Sequence, residues 1–162
     1  MKNMNQSAPK FSPEIQEIID GVLSSDPIDA ISYAYELGDN PNKKEALNAL
    51  IFALGKVDPE VKLVIIDILT QTDFFGEEIV LPLCERLSDE DAEVRAHAAS
   101  AVANTKDARV VDPLIKVLQS EQDLDARYAQ MSALAAIGDK RASKYLQNWT
   151  NSENWLDRYN AV

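Results

Sequence analysis

The sequence has few of the residues on which most metal and covalent sites depend. Its 162 residues include one cysteine, Cys84, and one histidine, His97. A single cysteine excludes an internal disulfide and fits a reducing compartment, for which we expect the cytoplasm. Cys84 lies in an apolar stretch, so we expect a thiol packed in the core rather than a reactive one. One histidine with no cysteine cluster or His-Glu pair argues against a transition-metal site. We predict no metal and no cofactor.

Other absences narrow the class of protein. No apolar run reaches the roughly 18 residues that span a bilayer, and the polar first ten residues lack the apolar centre of a signal peptide. The sequence contains neither a glycine-rich phosphate loop nor a nucleophile elbow. We therefore expect no membrane partner and no enzyme activity. The 27 acidic residues still offer many carboxylate pairs, so sequence alone does not exclude a catalytic pair.

Basic residues are scarce in the first half of the chain. Residues 1–80 contain 14 acidic and 6 basic residues, residues 81–162 contain 13 and 10, and the formal net charge is −11. Between Phe11 and Asn42 there is no Lys or Arg. Nucleic-acid binding depends on Lys and Arg that neutralise phosphates, so we expect no nucleic-acid partner. A protein with a basic surface is the natural complement. The alternative is that the acids only keep a solvated face charged.

What the sequence does contain is a repeat of 32 residues. A polar residue followed by Pro or Asp recurs every 32 residues, and each such pair comes just before a segment with helical periodicity. The pairs begin at Asp26, Asp58, Glu90 and Gln122. A fixed period of this length is typical of stacked helical hairpins, in which no single unit can bury its apolar face alone. We predict an all-α protein, a right-handed α-solenoid of about five two-helix repeats, with nine helices besides the incomplete one that begins at about residue 153, and essentially no strand.

Capping signals predict where the helices begin and end. Ser12 followed by Pro13 starts the first helix, and Asp26 caps the second. Gly38 is expected to end the second helix in a left-handed conformation. Residues 1–11 are predicted to form a disordered tail, and residues 12–162 a solenoid with an incomplete last repeat. The later helices are predicted at about 43–55, 59–71, 77–87, 91–104, 108–119, 123–137, 141–150 and from 153 onward.

The second helix of each repeat carries a polar stripe opposite its apolar one. In the third repeat, Val94, Ala98 and Ala101 are spaced to face the core, so the opposite stripe should face outward. We take this stripe and its equivalents as candidate contacts for a protein partner, the alternative being an ordinary solvated face. The candidate residues are Glu60, Asp67, Glu93, His97, Ser100, Asn104, Tyr128 and Ser132.

The repeat units resemble a known family. Residues 94–102 read Val-Arg-Ala-His-Ala-Ala-Ser-Ala-Val, and residues 107–115 read Asp-Ala-Arg-Val-Val-Asp-Pro-Leu-Ile. With the similar unit at 126–142, they resemble HEAT repeats, and more narrowly the HEAT-like repeats of phycobilisome lyases and their relatives. The resemblance is best over residues 77–150 and looser over 12–76. Lys62 replaces the usual Arg, and Lys106 replaces the usual Gly.

The resemblance implies an arrangement and a set of charge contacts. The first (A) helix of each repeat would lie on the convex side and the second (B) helix on the concave side, so the candidate residues would line the concave face. It also implies a structural ladder in which Arg95, Arg127 and Arg158 pair with carboxylates of adjoining turns. The expected carboxylates are Asp91, Asp123 and Asp125.

Three functions are compatible with this sequence. The first is a non-catalytic, protein-binding scaffold or adaptor that uses the concave face of a HEAT-repeat solenoid. The second, implied by the resemblance, is a subunit or relative of a phycobilisome bilin lyase or a phycobiliprotein-handling factor, and it is the only enzymatic role that we keep. The third is a structural assembly factor that stacks end to end.

Overall fold

The computed structural model describes residues 9–24, 26–71, 74, 76–150 and 158, and within these residues the protein has nine α-helices and no strand. The predicted all-α solenoid is confirmed. The helices are α1 (Pro13–Val22), α2 (Pro27–Asp39), α3 (Lys43–Leu54), α4 (Pro59–Leu69), α5 (Val80–Arg86), α6 (Ala92–Thr105), α7 (Val111–Leu118), α8 (Leu124–Ile137) and α9 (Lys140–Trp149).

The helices form four A/B pairs, and α9 is the A helix of a fifth. Each A helix packs against the B helix that follows it. The B helices α2, α4, α6 and α8 also pack against one another, and they do so more extensively than neighbouring A helices do. In a curved stack the more closely spaced layer lies on the inside. The B helices are therefore on the concave side, as the resemblance implies.

Each B helix buries the same three positions, spaced i, i+4 and i+7. Many are alanine, which lets helix axes approach closely, while the larger side chains each contribute about 1.5–3 kcal/mol on burial. The buried triads are Ala30, Ala34 and Leu37 in α2, Val61, Ile65 and Ile68 in α4, Val94, Ala98 and Ala101 in α6, and Ala126, Gln130 and Ala133 in α8.

Aspartate side chains fix where several helices begin. The carboxylate of Asp91 accepts hydrogen bonds from the backbone N–H groups of Glu93 and Val94. Asp26 and Asp123 cap α2 and α8 in the same way. These bonds satisfy backbone donors that have no partner inside the helix. The starts predicted from the 32-residue period are therefore correct.

Gly38 does not end α2 in a left-handed conformation, so that prediction is wrong. The helix continues through Gly38 to Asp39, and its C-cap Asn40 has an extended backbone. A Cβ atom at Gly38 would lie 3.0 Å from Cγ2 of Ile68. A side chain at this position would require Ile68 to shift by a few tenths of an ångström, so the glycine favours the close approach of α4. In the part of the chain that the structure describes, the left-handed C-caps are Lys106, with a φ of 52°, and Gly138, with a φ of 73°.

The A helices α5 and α7 begin later than predicted. Each follows a short 3-10 turn, Glu77–Ile79 before α5 and Ala108–Val110 before α7. Pro82 and Pro113 cannot donate to an α-helical hydrogen bond, so they are tolerated only in the first turn of the α-helix. None of the nine helices is long and apolar enough to cross a bilayer.

Candidate partner-binding face

We define the B face as the side of α2, α4, α6 and α8 that points away from the core. All eight predicted partner contacts lie on it. Glu60 and Asp67 are on α4, four more are on α6, and Tyr128 and Ser132 are on α8. His97 is half-buried and the other seven are exposed. The face thus collects every candidate, and their role as contacts stays a prediction.

A row of carboxylates crosses the B face, one from the first turn of each B helix. Its members are Asp29, Glu60, Glu93 and Asp125, and all four are exposed. A first-turn acid also stabilises its own helix by interacting with the helix dipole. The stripe prediction included Glu60 and Glu93 but missed Asp29 and Asp125. Extending the repeat register to the first and fourth repeats would have found both.

Exposed apolar side chains accompany this acid row. Ile28 is 79% exposed and Tyr35 52% on α2, while Leu124 is 55% and Tyr128 54% exposed on α8. Only Tyr128 was among the predicted contacts. A surface that combines apolar anchors with a single sign of charge is suited to a protein partner of the opposite sign.

His97 makes a local contact on this face. Its Nδ1 atom lies 3.2 Å from the backbone oxygen of Glu93. Since a carbonyl oxygen only accepts, Nδ1 is the donor and carries the hydrogen. Among the described residues, no group of three or more His, Cys, Asp or Glu side chains is placed to hold a metal ion.

The predicted arginine ladder is present at Arg95, but with a different carboxylate. Arg95 donates from Nε to Oε2 of Glu121 at 2.7 Å and from Nη2 to Oε1 at 2.8 Å. Its Nη1 donates to the backbone oxygens of Asp89 and Glu90, at 3.0 Å each. For Arg95, the hydrogen-bonded carboxylate is therefore none of Asp91, Asp123 and Asp125. Asp91 and Asp123 are occupied in capping their own helices, and Asp125 is exposed in the first turn of α8.

The same arrangement occurs one repeat earlier with Lys62 in place of Arg95. The Nζ atom of Lys62 lies 3.0 Å from Oδ2 of Asp89, which is 32 residues before Glu121. Asp89 accepts from the Asp91 amide just as Glu121 accepts from the Asp123 amide. The ladder therefore joins a base on one B helix to an acid in the turn before the next B helix.

The surroundings of Glu121 change its acidity. Burial raises the pKa, but hydrogen bonds from Arg95, the Asp123 amide and Gln130 together outweigh it and lower the pKa to about 2. For Asp89, burial likewise raises the pKa, and hydrogen bonds from Lys62 and the Asp91 amide lower it by more. Both carboxylates are thus ionised across the ordinary pH range, and each carries the negative charge that its ladder contact needs.

Arg127 and Arg158 continue the series in part. Arg127 donates from Nη2 to the backbone oxygen of Glu121 at 3.0 Å, and its guanidinium lies 5.5 Å from the ring centre of Trp149. Thirty-two residues after Glu121 comes Glu153, which lies outside the described residues. Arg158 is helical and exposed. The carboxylates expected for both arginines stay predictions.

Cys84 lies on the A side, in a groove of about 480 Å³ between α5 and α7. Its side chain is half-buried against the core. Burial, together with the nearby Asp107 carboxylate, raises the thiol pKa to about 11. The thiol is therefore protonated at neutral pH and a poor nucleophile.

Comparisons with known proteins agree with this architecture. The HEAT-repeat family matches residues 80–162, about half of the chain. The bilin biosynthesis protein PecE of Mastigocladus laminosus is 42% identical over 67 residues, which is 37% of this chain and 25% of that protein. PecE of Nostoc sp. strain PCC 7120 is 39% identical over 77 residues, 43% of this chain and 30% of that protein. The chain thus spans under a third of these relatives.

A solved structure extends the similarity of fold to nearly the whole chain. It is the complex of CpcE and CpcF of phycocyanin lyase from Nostoc sp. PCC7120. The match has a TM-score of 0.67 at 22% identity and covers 99% of this chain and 66% of that one. At this identity the match concerns the fold. The expected resemblance to the repeats of phycobilisome lyases is confirmed, and the chain belongs to the HEAT-repeat family.

Proposed function

We propose that the protein is a non-catalytic, protein-binding scaffold that serves as a subunit or relative of a phycobilisome bilin lyase. The observation that carries this proposal is the 42% identity to a bilin biosynthesis protein. The lyase whose fold this chain shares is itself a complex of two proteins. Both findings support a role in which the solenoid holds another protein.

The B face is the surface with which the solenoid would hold that protein. Its exposed acids and apolar side chains belong to helices held in register by the ladder, so little conformational entropy is lost when a partner binds. The partner should be a protein whose contact surface carries Lys or Arg. A phycobiliprotein without its chromophore is the partner that the similarity to bilin biosynthesis proteins favours.

The chemistry of bilin attachment would then lie outside this chain. Cys84 is the one thiol of the sequence, and its raised pKa makes it a poor nucleophile toward a bilin. The acid row also supports a role without a bilin, as a scaffold for another basic protein. Its carboxylates attract a basic protein whether or not a chromophore is present. We keep this role as the second candidate.

A reconstitution experiment tests the proposal. The purified chain is mixed with apo-phycocyanin and a free bilin, then separated by gel filtration and by denaturing electrophoresis with zinc-enhanced bilin fluorescence. We expect the chain to co-elute with apo-phycocyanin and to carry no covalent bilin itself. Elution apart from apo-phycocyanin would favour the second candidate. Bilin fluorescence on the chain, lost in Cys84→Ser, would overturn the non-catalytic reading.

A further inference from the structure

On the side of α2 that faces α4, a side chain is more exposed to solvent than the equivalent side chain on each later B helix. We compare the position that lies five residues after the first member of each buried triad. This position is Tyr35 in α2, Ile66 in α4, Ala99 in α6 and Met131 in α8. Ile66 is 1% exposed and Ala99 and Met131 are fully buried, whereas Tyr35 is 52% exposed. An aromatic side chain thus stands open at a position that the other three B helices bury.

The direction of Tyr35 follows from its place on the helix. Gly38, three residues later, is in close approach to Ile68 of α4. Residues three apart lie on the same side of a helix, so Tyr35 faces α4 as well. Ile28, two turns before Tyr35, shares that side and is 79% exposed. Val64 of α4 is half-buried on the flank opposite Ile66. We call Ile28, Tyr35 and Val64 the α2–α4 crease.

The exposed charged side chains of α2 and α4 are all acidic. Lys62 is the one basic residue of α4, and its amine is engaged with Asp89 at 3.0 Å. Neither Lys nor Arg occurs between Phe11 and Asn42. The exposed acids on the outer surfaces of the two helices are Asp29, Glu36, Asp39, Glu60 and Asp67.

We propose that the α2–α4 crease is the docking site for an amphipathic helix that carries Lys or Arg beside its apolar face. The crease between two helices accepts a third helix, whose apolar residues cover Ile28 and Tyr35. The flanking acids select a basic helix and repel an acidic one or an anionic lipid surface. The inference rests on one part of the proposed function, namely that a protein partner binds the B face.

A synthetic peptide tests this site directly. The probe is a 14-residue amphipathic peptide of Leu and Lys, and the charge control is the same peptide with Glu in place of Lys. Calorimetry measures the binding of each peptide to the wild type, to Tyr35→Ser and to Ile28→Ser. Leu81→Ser is the matched control, since Leu81 is also an exposed apolar side chain, at 64%, and lies on the A helix α5, outside the B face. Circular dichroism checks that every variant is folded.

We expect the Leu/Lys peptide to bind the wild type, to bind Tyr35→Ser at least tenfold more weakly, and to bind Leu81→Ser within twofold of the wild type. The Leu/Glu peptide should not bind. Equal affinity of the wild type and Tyr35→Ser would overturn the inference, and so would equal losses at Tyr35 and Leu81. Because this experiment contains no phycobiliprotein, a failure of apo-phycocyanin to bind would overturn the proposed function and leave the crease standing.

Discussion

Glu121 connects two consecutive B helices through a single carboxylate. It accepts two hydrogen bonds from Arg95 of α6 and one, at 2.9 Å, from Nε2 of Gln130 of α8. The amides of Gln122 and Asp123 also donate to it. Glu121 is 6% exposed, so its charge is stabilised mainly by these partners.

Replacing Glu121 by alanine should lower the free energy of unfolding by about 3 kcal/mol, because the Arg95 guanidinium would be left largely buried without its counter-charge. Chemical denaturation measures this loss. Arg109→Ala is the control, since the pair of Arg109 and Asp107 is much more exposed and should contribute far less. Equal losses in both variants would contradict a structural role for the ladder.

The depressed pKa of Glu121 also predicts a pH dependence. In the folded protein its carboxylate stays ionised down to about pH 2, whereas its ordinary pKa is 4.5. The unfolded chain therefore binds this proton first as the pH falls. The stabilisation should be fully present above about pH 4.5 and be lost between pH 4.5 and 2. Denaturation curves of the wild type and Glu121→Gln should converge across that interval, and parallel curves would show that the pKa is not depressed.

At the scale of single helices, two glycines that end helices allow the cost of a left-handed backbone conformation to be measured. Gly138 ends α8 with a φ of 73°, and no atom lies within 4 Å of a Cβ built on it. Gly138→Ala should therefore cost about 1 kcal/mol from backbone strain alone. Gly55 ends α3 with a φ of −89°, so Gly55→Ala should be neutral or slightly stabilising. Thermal unfolding measures both changes, and similar losses at the two glycines would rule out the left-handed strain as the cause.

Some features of these elements could be predicted from sequence because their causes are local. Asp26, Asp91 and Asp123 cap the helices that follow them, and a cap acts within three residues. The role of Gly38 could not be predicted in this way, because it depends on Ile68, thirty residues away on another helix. The choice of Glu121 over Asp91 likewise depends on which carboxylates are already used as caps. The open position of Tyr35 depends on how α2 packs on α4.

In the whole molecule, successive repeats stack in register, so equivalent exposed residues of the B helices form one continuous surface. The ladder contacts of Lys62 and Arg95 join successive B helices, so exposed residues at equal positions form rows across the concave side. The eight predicted contacts could be assigned to this face from a 3.6-residue period, because the period separates core from surface. Which of them contact a partner depends on the partner's shape, and the sequence of one chain does not contain it.

The measurement that tests the central claim most directly is the binding of apo-phycocyanin to the chain with Glu60, Asp67 and Glu93 all replaced by lysine. All three side chains are exposed, so the free energy of unfolding should change by less than about 0.5 kcal/mol at Asp67. At Glu60 and Glu93, which lie in the first turn of their helices, it should fall by about 1 kcal/mol each. Calorimetry should show binding weakened at least tenfold, about 1.4 kcal/mol, because a basic partner would meet lysines instead of carboxylates. Unchanged affinity in the folded triple variant would contradict the B face as the site of partner binding.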